Sequence, residues 1–351
     1  MYILVVDDSA VARLLLSSIF AEAGHQVLQA SSGYQALELL QQHRPDIVTM
    51  DVHMPGLNGY ETIGRILELY TIPIIILTAS ANAKAATTAI QALAAGALAV
   101  LKKPVGPAAP GFEQHINDLL RTLRLMAEIK VVRRCRTSTR PAAPQVQPIV
   151  SAPSAAVIAI AASAGGPAAL KLLLSQLDPD IPWPVMLIQH IASGFLGSFI
   201  DWLQHLSKLK VGIARHGQEL QAGHIYLPPE GFHLEFDAGG KVKLSIASPS
   251  DLNIPSADRL FTSLAQHMAK KVIAVQLSGM GQDGAEGIKA ISHAGGLCIV
   301  QDPETALIDS MPNAALRLIT PHCILSPQGI AIFINDLQHD KRQSLSQKES
   351  E

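Results

Sequence analysis

The chain is built from short apolar runs that alternate with segments of helical periodicity. In the first 105 residues the runs are Ile3–Val6, Ile47–Met50, Ile74–Leu77 and Leu98–Leu101. After the first run, Val11–Ala23 repeats apolar residues near the helical period, and Gly24 follows as a residue typical of helix C-terminal ends. Strands of four to eight residues separated by helices form βαβ units and hence parallel sheets covered by helices.

The same alternation resumes in the second half of the chain. Its strand-like runs are Ala155–Ala161, Val185–Gln189, His224–Leu227, Val272–Leu277 and Leu297–Val300. Between the two sets lie an amphipathic helical pattern and an arginine-rich and proline-rich stretch without periodicity, which is typical of a linker. We therefore expect two α/β domains, at 1–105 with a helix extending to about 127 and at 155–340. They are joined by a linker over 128–154, and 341–351 form a polar, frayed tail.

Composition agrees with this class and excludes others. Hydrophobic residues make up 48% of the chain, against 16% charged residues, so the chain can bury a core and is not disordered throughout. Aromatic residues make up only 4%, which argues against an all-β sandwich. The 27 basic and 29 acidic residues leave a net charge of -2, so no overall field attracts nucleic acid or anionic lipid.

The cysteines and the N-terminus indicate a cytoplasmic protein. Cys135, Cys298 and Cys323 are odd in number and contain no CxxC motif, which argues against a disulfide framework or a zinc site. The N-terminus has no basic region followed by a long apolar region, and no apolar run approaches the roughly 18 residues of a membrane span. We expect no signal peptide, no direct membrane insertion and no nucleic-acid partner.

Polar residues follow the strands of the first half, where ligands gather in a parallel sheet. Asp7 and Asp8 follow the run Ile3–Val6, Asp51 follows Ile47–Met50, Thr78 follows Ile74–Leu77, and Lys103 follows Leu98–Leu101. Carboxylates that converge on one edge repel one another unless a cation neutralises them, and an all-oxygen set suits Mg²⁺. A lysine and a hydroxyl nearby would then bind the oxygens of a phosphoryl group.

The motifs ILVVDDS, MDVHMPGLNGYE, LTA and KKP, in this order, resemble the receiver domain of response regulators. The resemblance implies a flavodoxin-like (βα)5 fold in which Asp51 is the phosphoacceptor. It also implies that Asp7, Asp8 and Asp51 hold Mg²⁺ together with the backbone carbonyl of His53, and that a chemotaxis histidine kinase is the phosphodonor.

Thr78 and Lys103 are the phosphate-binding residues by the same resemblance. The sequence departs from the pattern at Val100, where many receivers place an aromatic switch residue. We expect the response to phosphorylation to pass through the Thr78 loop with less aromatic rearrangement.

Applied to the second half, the strand-end rule selects a serine, a histidine and an aspartate. Ser163 follows Val157–Ala161, His190 follows Val185–Gln189, and Asp283 lies just beyond Val272–Leu277. A serine hydroxyl becomes nucleophilic beside an imidazole whose other nitrogen is fixed by a carboxylate, so these residue types indicate acyl transfer. The glycines after Ser163 favour a strand-to-helix turn with backbone N–H groups facing an oxyanion.

Six motifs of the second half resemble the catalytic domain of the CheB family, chemoreceptor glutamate methylesterases and glutamine deamidases. They are IAASAGGP, LIQHIASGF, GHIYLPPEGFHLE, PSADRLFTSLA, LSGMGQDGAEG and IVQDPETALIDSMPNAA. The resemblance implies a doubly wound, mainly parallel α/β hydrolase-type domain without a cofactor. Ser163 is then the nucleophile, His190 the base, Asp283 its orienting partner, and the backbone N–H groups of Ala164 and Met280 the oxyanion donors.

Together the two resemblances imply a phosphorylation-activated response regulator for chemosensory adaptation, with methyl-accepting chemoreceptors as substrates. The unphosphorylated receiver would obstruct the active site. His233 matches a family histidine, and we expect a peripheral role for it. Three departures, at Ala161, Trp202 and Ser310, bear on substrate fit because none of them removes a triad residue.

Three alternatives stay open at this stage. Gly279–Gly284 has the form GxGxxG after a strand, and Asp302 follows about 20 residues later, as in dinucleotide-binding sites. A phosphorylation-controlled binding module with a decayed triad is the second. A DNA-binding response regulator is the third, although the near-neutral charge and the absence of a basic recognition helix argue against it.

Overall fold

The structure, a computed structural model, describes residues 1–78, 83–106, 111–129, 145–146 and 156–348, with the backbone alone at 83–85, 145–146 and 340–348. The chain divides into two compact units, Met1–Thr137 and Ser138–Glu351. Most of the expected linker, including Cys135, lies outside the described residues. No helix in the described ranges is long and apolar enough to cross a membrane.

In its described residues, the first unit alternates five strands with five helices. They are β1 Tyr2–Val6, α1 Ala10–Glu22, β2 Gln26–Ala30, α2 Gly33–Gln42, β3 Ile47–Asp51, α3 Gly59–Leu69, β4 Ile74–Thr78, α4 Ala83–Ala95, β5 Ala99–Lys102 and α5 Phe112–Ala127. The strands are parallel in the order β2-β1-β3-β4-β5. This is the flavodoxin-like order, which confirms the expected fold.

Local signals in the sequence set the limits of the first helix. The Ser9 side chain accepts a hydrogen bond from the Ala12 N–H, as expected of an N-cap. Gly24 follows the helix at φ +80°, a backbone conformation that costs other residues more. The buried face of α1 packs with α5 against one face of β1, β3 and β4. The residues on the other face of these strands are buried as well, so the strands are almost continuously apolar.

The second unit contains a larger sheet and a separate ribbon. Its strands are β6 Gln145–Val146, β7 Val157–Ala162, β8 Val185–Gln189, β9 Lys210–Ile213, β10 His224–Leu227, β11 Phe232–Phe236, β12 Val242–Ile246, β13 Val272–Gln276, β14 Leu297–Gln301 and β15 Cys323–Leu325. Its α-helices are α6 Gly166–Leu174, α7 Leu196–Leu206, α8 Ala257–Met268, α9 Ala285–His293, α10 Ser310–Leu318 and α11 Pro327–Lys348.

The sheet order is β6-β15-β14-β13-β7-β8-β10-β9, and every pairing is parallel except that of β6 with β15. The strand β7 lies between β8 on one side and β13 on the other, so the winding direction changes here. Such a switch point opens a crevice at the carboxyl ends of the strands. The doubly wound, mainly parallel fold is confirmed.

The five apolar runs predicted in the second half correspond to β7, β8, β10, β13 and β14. The antiparallel ribbon β11–β12, the edge strand β9 and the strand β15 were not predicted, and most residues of β9, β12 and β15 are only partly buried or exposed. Helix α11 continues through 341–348, which is part of the segment expected to be a polar tail. Its lysine, arginine, glutamine and leucine residues favour helix, and no proline or glycine interrupts them.

Candidate functional site

Ser163, His190 and Asp283 follow β7, β8 and β13, the three adjacent strands at the switch point. The Ser163 Oγ lies 3.1 Å from the Nδ1 of His190. The Nε2 of the same ring lies 2.9 Å from the Oδ2 of Asp283. One imidazole therefore bridges hydroxyl and carboxylate, with Nδ1 toward the serine and Nε2 toward the aspartate, so a ring nitrogen is within reach of the Ser163 hydroxyl.

The Asp283 carboxylate lies at the N-terminus of helix α8. It accepts hydrogen bonds from the N–H groups of Ala257 and Asp258, at 2.7 and 3.0 Å, and from the Ser256 hydroxyl at 3.0 Å. Burial by itself raises the pKa of this carboxyl, but the hydrogen bonds from His190 and from the helix outweigh it, and the net pKa is lowered. Asp283 is therefore ionised at neutral pH.

Ser163 lies in a tight turn before helix α6. Gly165 has φ +78°, and a Cβ at this position would lie 2.5 Å from the Ser278 Oγ. Ser278 connects this turn with the loop after β14, because its hydroxyl is within hydrogen-bond distance of the carbonyl oxygens of Ala164 and Ile308. The glycine is therefore required both by the backbone conformation and by the close approach of this loop.

The predicted oxyanion donors lie on both sides of Ser163. A Cβ at Gly279 would lie 2.8 Å from the Ser163 Cβ, so the loop that carries Met280 packs directly on the serine. Within the described ranges, neither the Ala164 nor the Met280 N–H donates a hydrogen bond to the protein. Both residues are half-buried, so their N–H groups remain the predicted oxyanion donors.

The three departures from the family pattern lie in different surroundings. The Ala161 methyl is buried in the hydrophobic core of the second unit. Trp202 stacks on Phe199 within α7, with ring centroids 5.6 Å apart. The Ser310 hydroxyl bonds the loop around Met280, so it contacts the site itself.

His233 is fully buried at the base of the site. Its Nδ1 accepts a hydrogen bond from the Ser256 N–H, and its Nε2 lies 2.9 Å from the Asp251 Oδ2. Since the Ser256 hydroxyl also donates a hydrogen bond to Asp283, His233 stabilises the N-terminus of α8 through the Ser256 N–H. It does not reach Ser163, in keeping with the expected peripheral role.

The first unit gathers its predicted residues at the carboxyl ends of β1, β3, β4 and β5. The Lys103 Nζ lies 2.6 Å from the Asp7 Oδ2 and 2.7 Å from the Asp51 Oδ2. Asp7, Asp51 and Thr78 are buried, whereas Asp8 is exposed. The lysine neutralises part of the negative charge that the two buried carboxylates bring together.

Burial and these charges shift the pKa values of Asp51 and Lys103. Burial is the largest influence on Asp51 and raises the pKa of its carboxyl, although the hydrogen bond from Lys103 opposes the rise. Burial by itself lowers the pKa of Lys103, but its contacts with Asp51 and Asp7 outweigh burial and raise it. The lysine is therefore held in its charged form.

The carboxylates of Asp7, Asp8 and Asp51 offer oxygens that all lie within 4.8 Å of one another. An all-oxygen cluster with one exposed member fits Mg²⁺, which keeps several of its waters. The His53 N–H bonds the Asp51 Oδ1 at 3.3 Å, so His53 lies beside the cluster. Val100 is buried in β5, in the position expected for the switch residue.

The GxGxxG alternative finds no support in the geometry. Asp283 within this motif is bonded to His190 and to helix α8. Asp302 caps a short 3-10 turn by accepting a hydrogen bond from the Glu304 N–H at 3.0 Å. Both carboxylates are thus committed to contacts within the protein, and a dinucleotide would have to displace them.

The first unit is a flavodoxin-like domain with an acidic cluster at its strand ends. The second is a doubly wound domain in which a serine, a histidine and an aspartate are in hydrogen-bond contact. Together these two domains define a class of protein. It is a response regulator whose output domain is a serine hydrolase.

Comparisons with known proteins agree with this class. The CheB methylesterase family model matches residues 158–334, and the response regulator receiver domain model matches residues 3–109. The chain is 42% identical over 344 residues to the protein-glutamate methylesterase/protein-glutamine glutaminase 3 of Hahella chejuensis, covering 96% of this chain and 98% of that protein. It is 40% identical over 334 residues to the protein of this name numbered 4 in Myxococcus xanthus, covering 94% of each.

A solved structure, the CheB methylesterase catalytic domain of Thermotoga maritima, covers 52% of this chain and 98% of its own, with 30% identity and a TM-score of 0.49. On the sequence matches, the chain belongs to the CheB methylesterase family. It is a hydrolase of this family that carries a response regulator receiver domain.

Proposed function

We propose that the chain hydrolyses glutamyl methyl esters, and deamidates glutamines, on methyl-accepting chemoreceptors. The hydrogen-bond chain from Ser163 through His190 to Asp283 carries this proposal. The relatives named above supply the substrate class, because their names specify protein-bound glutamate esters and glutamines. We assign the receiver to 1–105, with α5 extending it to about 127, and the hydrolase to 155–340. We place the protein in the cytoplasm, together with the signalling domains of the receptors.

Acylation begins when the His190 Nδ1 takes the proton of the Ser163 hydroxyl and the Oγ attacks the ester carbonyl carbon. The N–H groups of Ala164 and Met280 donate to the oxygen that becomes negative in this step. Collapse of the tetrahedral intermediate breaks the bond to the methoxy group, which leaves as methanol with the proton from His190. A glutamine amide would release ammonia at the same point.

Deacylation repeats these steps with water as the nucleophile. His190 takes a proton from water, the resulting hydroxide attacks the acyl-enzyme, and the Ser163 Oγ leaves with that proton, which frees a glutamate carboxyl group. Asp283 remains ionised because helix α8 and His190 lower its pKa, so it stabilises the imidazolium in both halves of the reaction. The hydrolase needs no cofactor in this scheme.

The receiver supplies regulation in this proposal. Asp51 accepts a phosphoryl group from a chemotaxis histidine kinase, and Thr78 and Lys103 bind its oxygens. Asp7, Asp8 and Asp51 would hold Mg²⁺ with the His53 carbonyl, and the ion would offset the negative charge of the phosphoryl group during transfer. Phosphorylation of Asp51 then increases hydrolysis at Ser163.

Methanol release tests the hydrolase. The full-length protein is incubated with a chemoreceptor signalling domain that carries labelled methyl esters, and volatile methanol is counted. Ser163→Ala should abolish release, and release at the wild-type rate would contradict the assignment of the nucleophile.

Acetyl phosphate with Mg²⁺ tests the regulation in the same assay. It should stimulate the wild type and leave Asp51→Asn unchanged. Stimulation of the Asp51→Asn variant would contradict the assignment of the phosphoacceptor.

A further inference from the structure

Gln189, the last residue of β8, contacts two catalytic loops at once. It pairs with Ala162 of β7 and is 5% exposed. Its Nε2 donates one hydrogen bond to the Ser163 carbonyl and one to the His190 carbonyl, each at 2.8 Å. A single amide nitrogen therefore connects the backbone of the nucleophile with that of the base.

The orientation of this amide is settled by its partners. Both are carbonyl oxygens, which only accept, so the nitrogen and not the oxygen of Gln189 must face them. On the other side, a Cβ at Gly166 would lie 2.2 Å from the Gln189 Oε1. Gly166 is thus required so that the amide can reach the turn at Ser163.

The buried Oε1 of Gln189 has no hydrogen-bond partner among the described residues. Burying an amide oxygen without a partner costs free energy, so a residue selected for stability alone would be apolar here. The two bonds made by the nitrogen are the compensation.

We propose that Gln189 is a positioning residue for the hydrolysis, which keeps the Ser163 Oγ within reach of the His190 Nδ1. The inference rests on the proposed function, since it assumes that these two residues react. A shift of about 1 Å in a catalytic group can lower a rate about 100-fold, so loss of this link should be visible in kcat.

The test measures methanol release by the full-length protein for Gln189→Met, Gln189→Glu and Gln338→Met. Gln338 is a matched control, because it is 1% exposed and its Oε1 also lacks a partner, but it lies in α11 away from the site. Gln189→Met should lower kcat between about 10-fold and 100-fold with little change in KM. Gln338→Met should keep the wild-type kcat.

Gln189→Glu adds a readout that a merely structural role would not move. An ionised carboxylate offers no donor to the two carbonyls, whereas the protonated acid offers one, and burial raises the pKa of such a carboxyl. The ratio of its kcat to that of the wild type should therefore rise as the pH is lowered from 9 to 7.

A folded Gln189→Met variant as active as Gln338→Met would overturn the inference. If Gln189→Met does not fold, the Gln189→Glu ratio decides, and a ratio that stays flat with pH overturns the inference as well. An inactive wild type would instead contradict the proposed function.

A separate observation concerns Ser310, the first residue of α10. Its Oγ donates to the Gly279 carbonyl at 2.8 Å and accepts from the Gly281 N–H at 3.1 Å. These two residues flank Met280, whose N–H is the proposed oxyanion donor. We infer that Ser310 is a second positioning residue, which fixes the direction of the Met280 N–H.

Ser310→Ala removes the hydroxyl, and Ser310→Thr keeps it. In the methanol assay the alanine variant should lose about threefold to tenfold in kcat at unchanged KM, less than the roughly 100-fold loss on deleting an oxyanion donor. The threonine variant should stay within about twofold of the wild type. Equal kcat values for the two variants would overturn this second inference.

Discussion

Replacing Asp283 with asparagine perturbs the site at the point where most of its hydrogen bonds meet. The carboxylate accepts four of them, from His190, Ser256, Ala257 and Asp258. An asparagine side chain of the same shape has one oxygen and one NH₂ group. If the NH₂ group replaces Oδ2, it faces His190 and the backbone N–H of Ala257, and one backbone donor loses its acceptor. If it replaces Oδ1, it faces the donors of both Ser256 and Asp258, so the first orientation leaves fewer donors opposed.

With the NH₂ group beside His190, the amide donates to Nε2, and the ring proton must move to Nδ1. An Nδ1 that carries a proton cannot accept the one on the Ser163 Oγ, so the base is lost. In serine hydrolases with a Ser-His-Asp triad the corresponding change lowers kcat about 10⁴-fold, or roughly 5 kcal/mol of transition-state stabilisation. We expect a loss of that size.

The assay is methanol release at saturating methylated receptor domain, with Asp302→Asn as the control. Asp302 only caps a short turn, and asparagine caps equally well, so this variant should keep the wild-type kcat. A kcat of Asp283→Asn within tenfold of the wild type would refute the tautomer argument.

Asp283→Asn should also change the free energy of unfolding in a pH-dependent way. Because the pKa of Asp283 is lowered in the folded protein from its ordinary value of 3.8, the carboxylate stabilises the fold above that pH. The difference in unfolding free energy between wild type and Asp283→Asn should therefore be largest at neutral pH. It should shrink as the pH falls below about 4 and the folded-state carboxyl takes up its proton, as followed by urea denaturation.

Two further predictions concern buried groups. Lys103→Met leaves the Asp7 and Asp51 carboxylates without their shared cation and should lower the free energy of unfolding by about 3 kcal/mol. Added Mg²⁺ should raise the melting temperature of this variant more than that of the wild type. A variant as stable as the wild type would contradict this prediction. Burial raises the pKa of Cys298 to about 12 and that of Cys323 to about 11, so neither should react with iodoacetamide at pH 8 until the protein unfolds, as peptide mass spectrometry would show.

Much of the architecture could be predicted because buried parallel strands are recognisable without neighbours. The strands β3, β4, β7 and β13 are covered on both faces, and each is a continuous run of buried residues, nearly all apolar. By contrast, β2 at the edge of the first sheet is interrupted by Gln26 and Gln29, and no apolar run of four residues marks it. The ribbon β11–β12 was missed for a similar reason, since six of its ten residues are only partly buried or exposed.

The site divides in a similar way. Ser163, His190 and Asp283 could be selected because chemistry in a parallel sheet collects after the strands, and this rule needs only the strand ends. The roles of Gln189 and Ser310 could not, because a glutamine or serine at a strand end or a helix start is common and carries no signal of its partner. Only the packing of neighbouring loops shows that their polar atoms meet the backbone of the catalytic residues.

The sequence by itself determined two parallel α/β domains, the residue types at each strand end and the family to which they belong. Its information is local, because hydrophobic period, turn residues and motifs are properties of neighbours along the chain. The tertiary structure decided which nitrogen of His190 faces Ser163, why Asp283 stays ionised at the end of α8, and what braces the nucleophile. These depend on contacts between residues 25 to 93 positions apart, whose distances are set only when the sheet order and the loops are fixed.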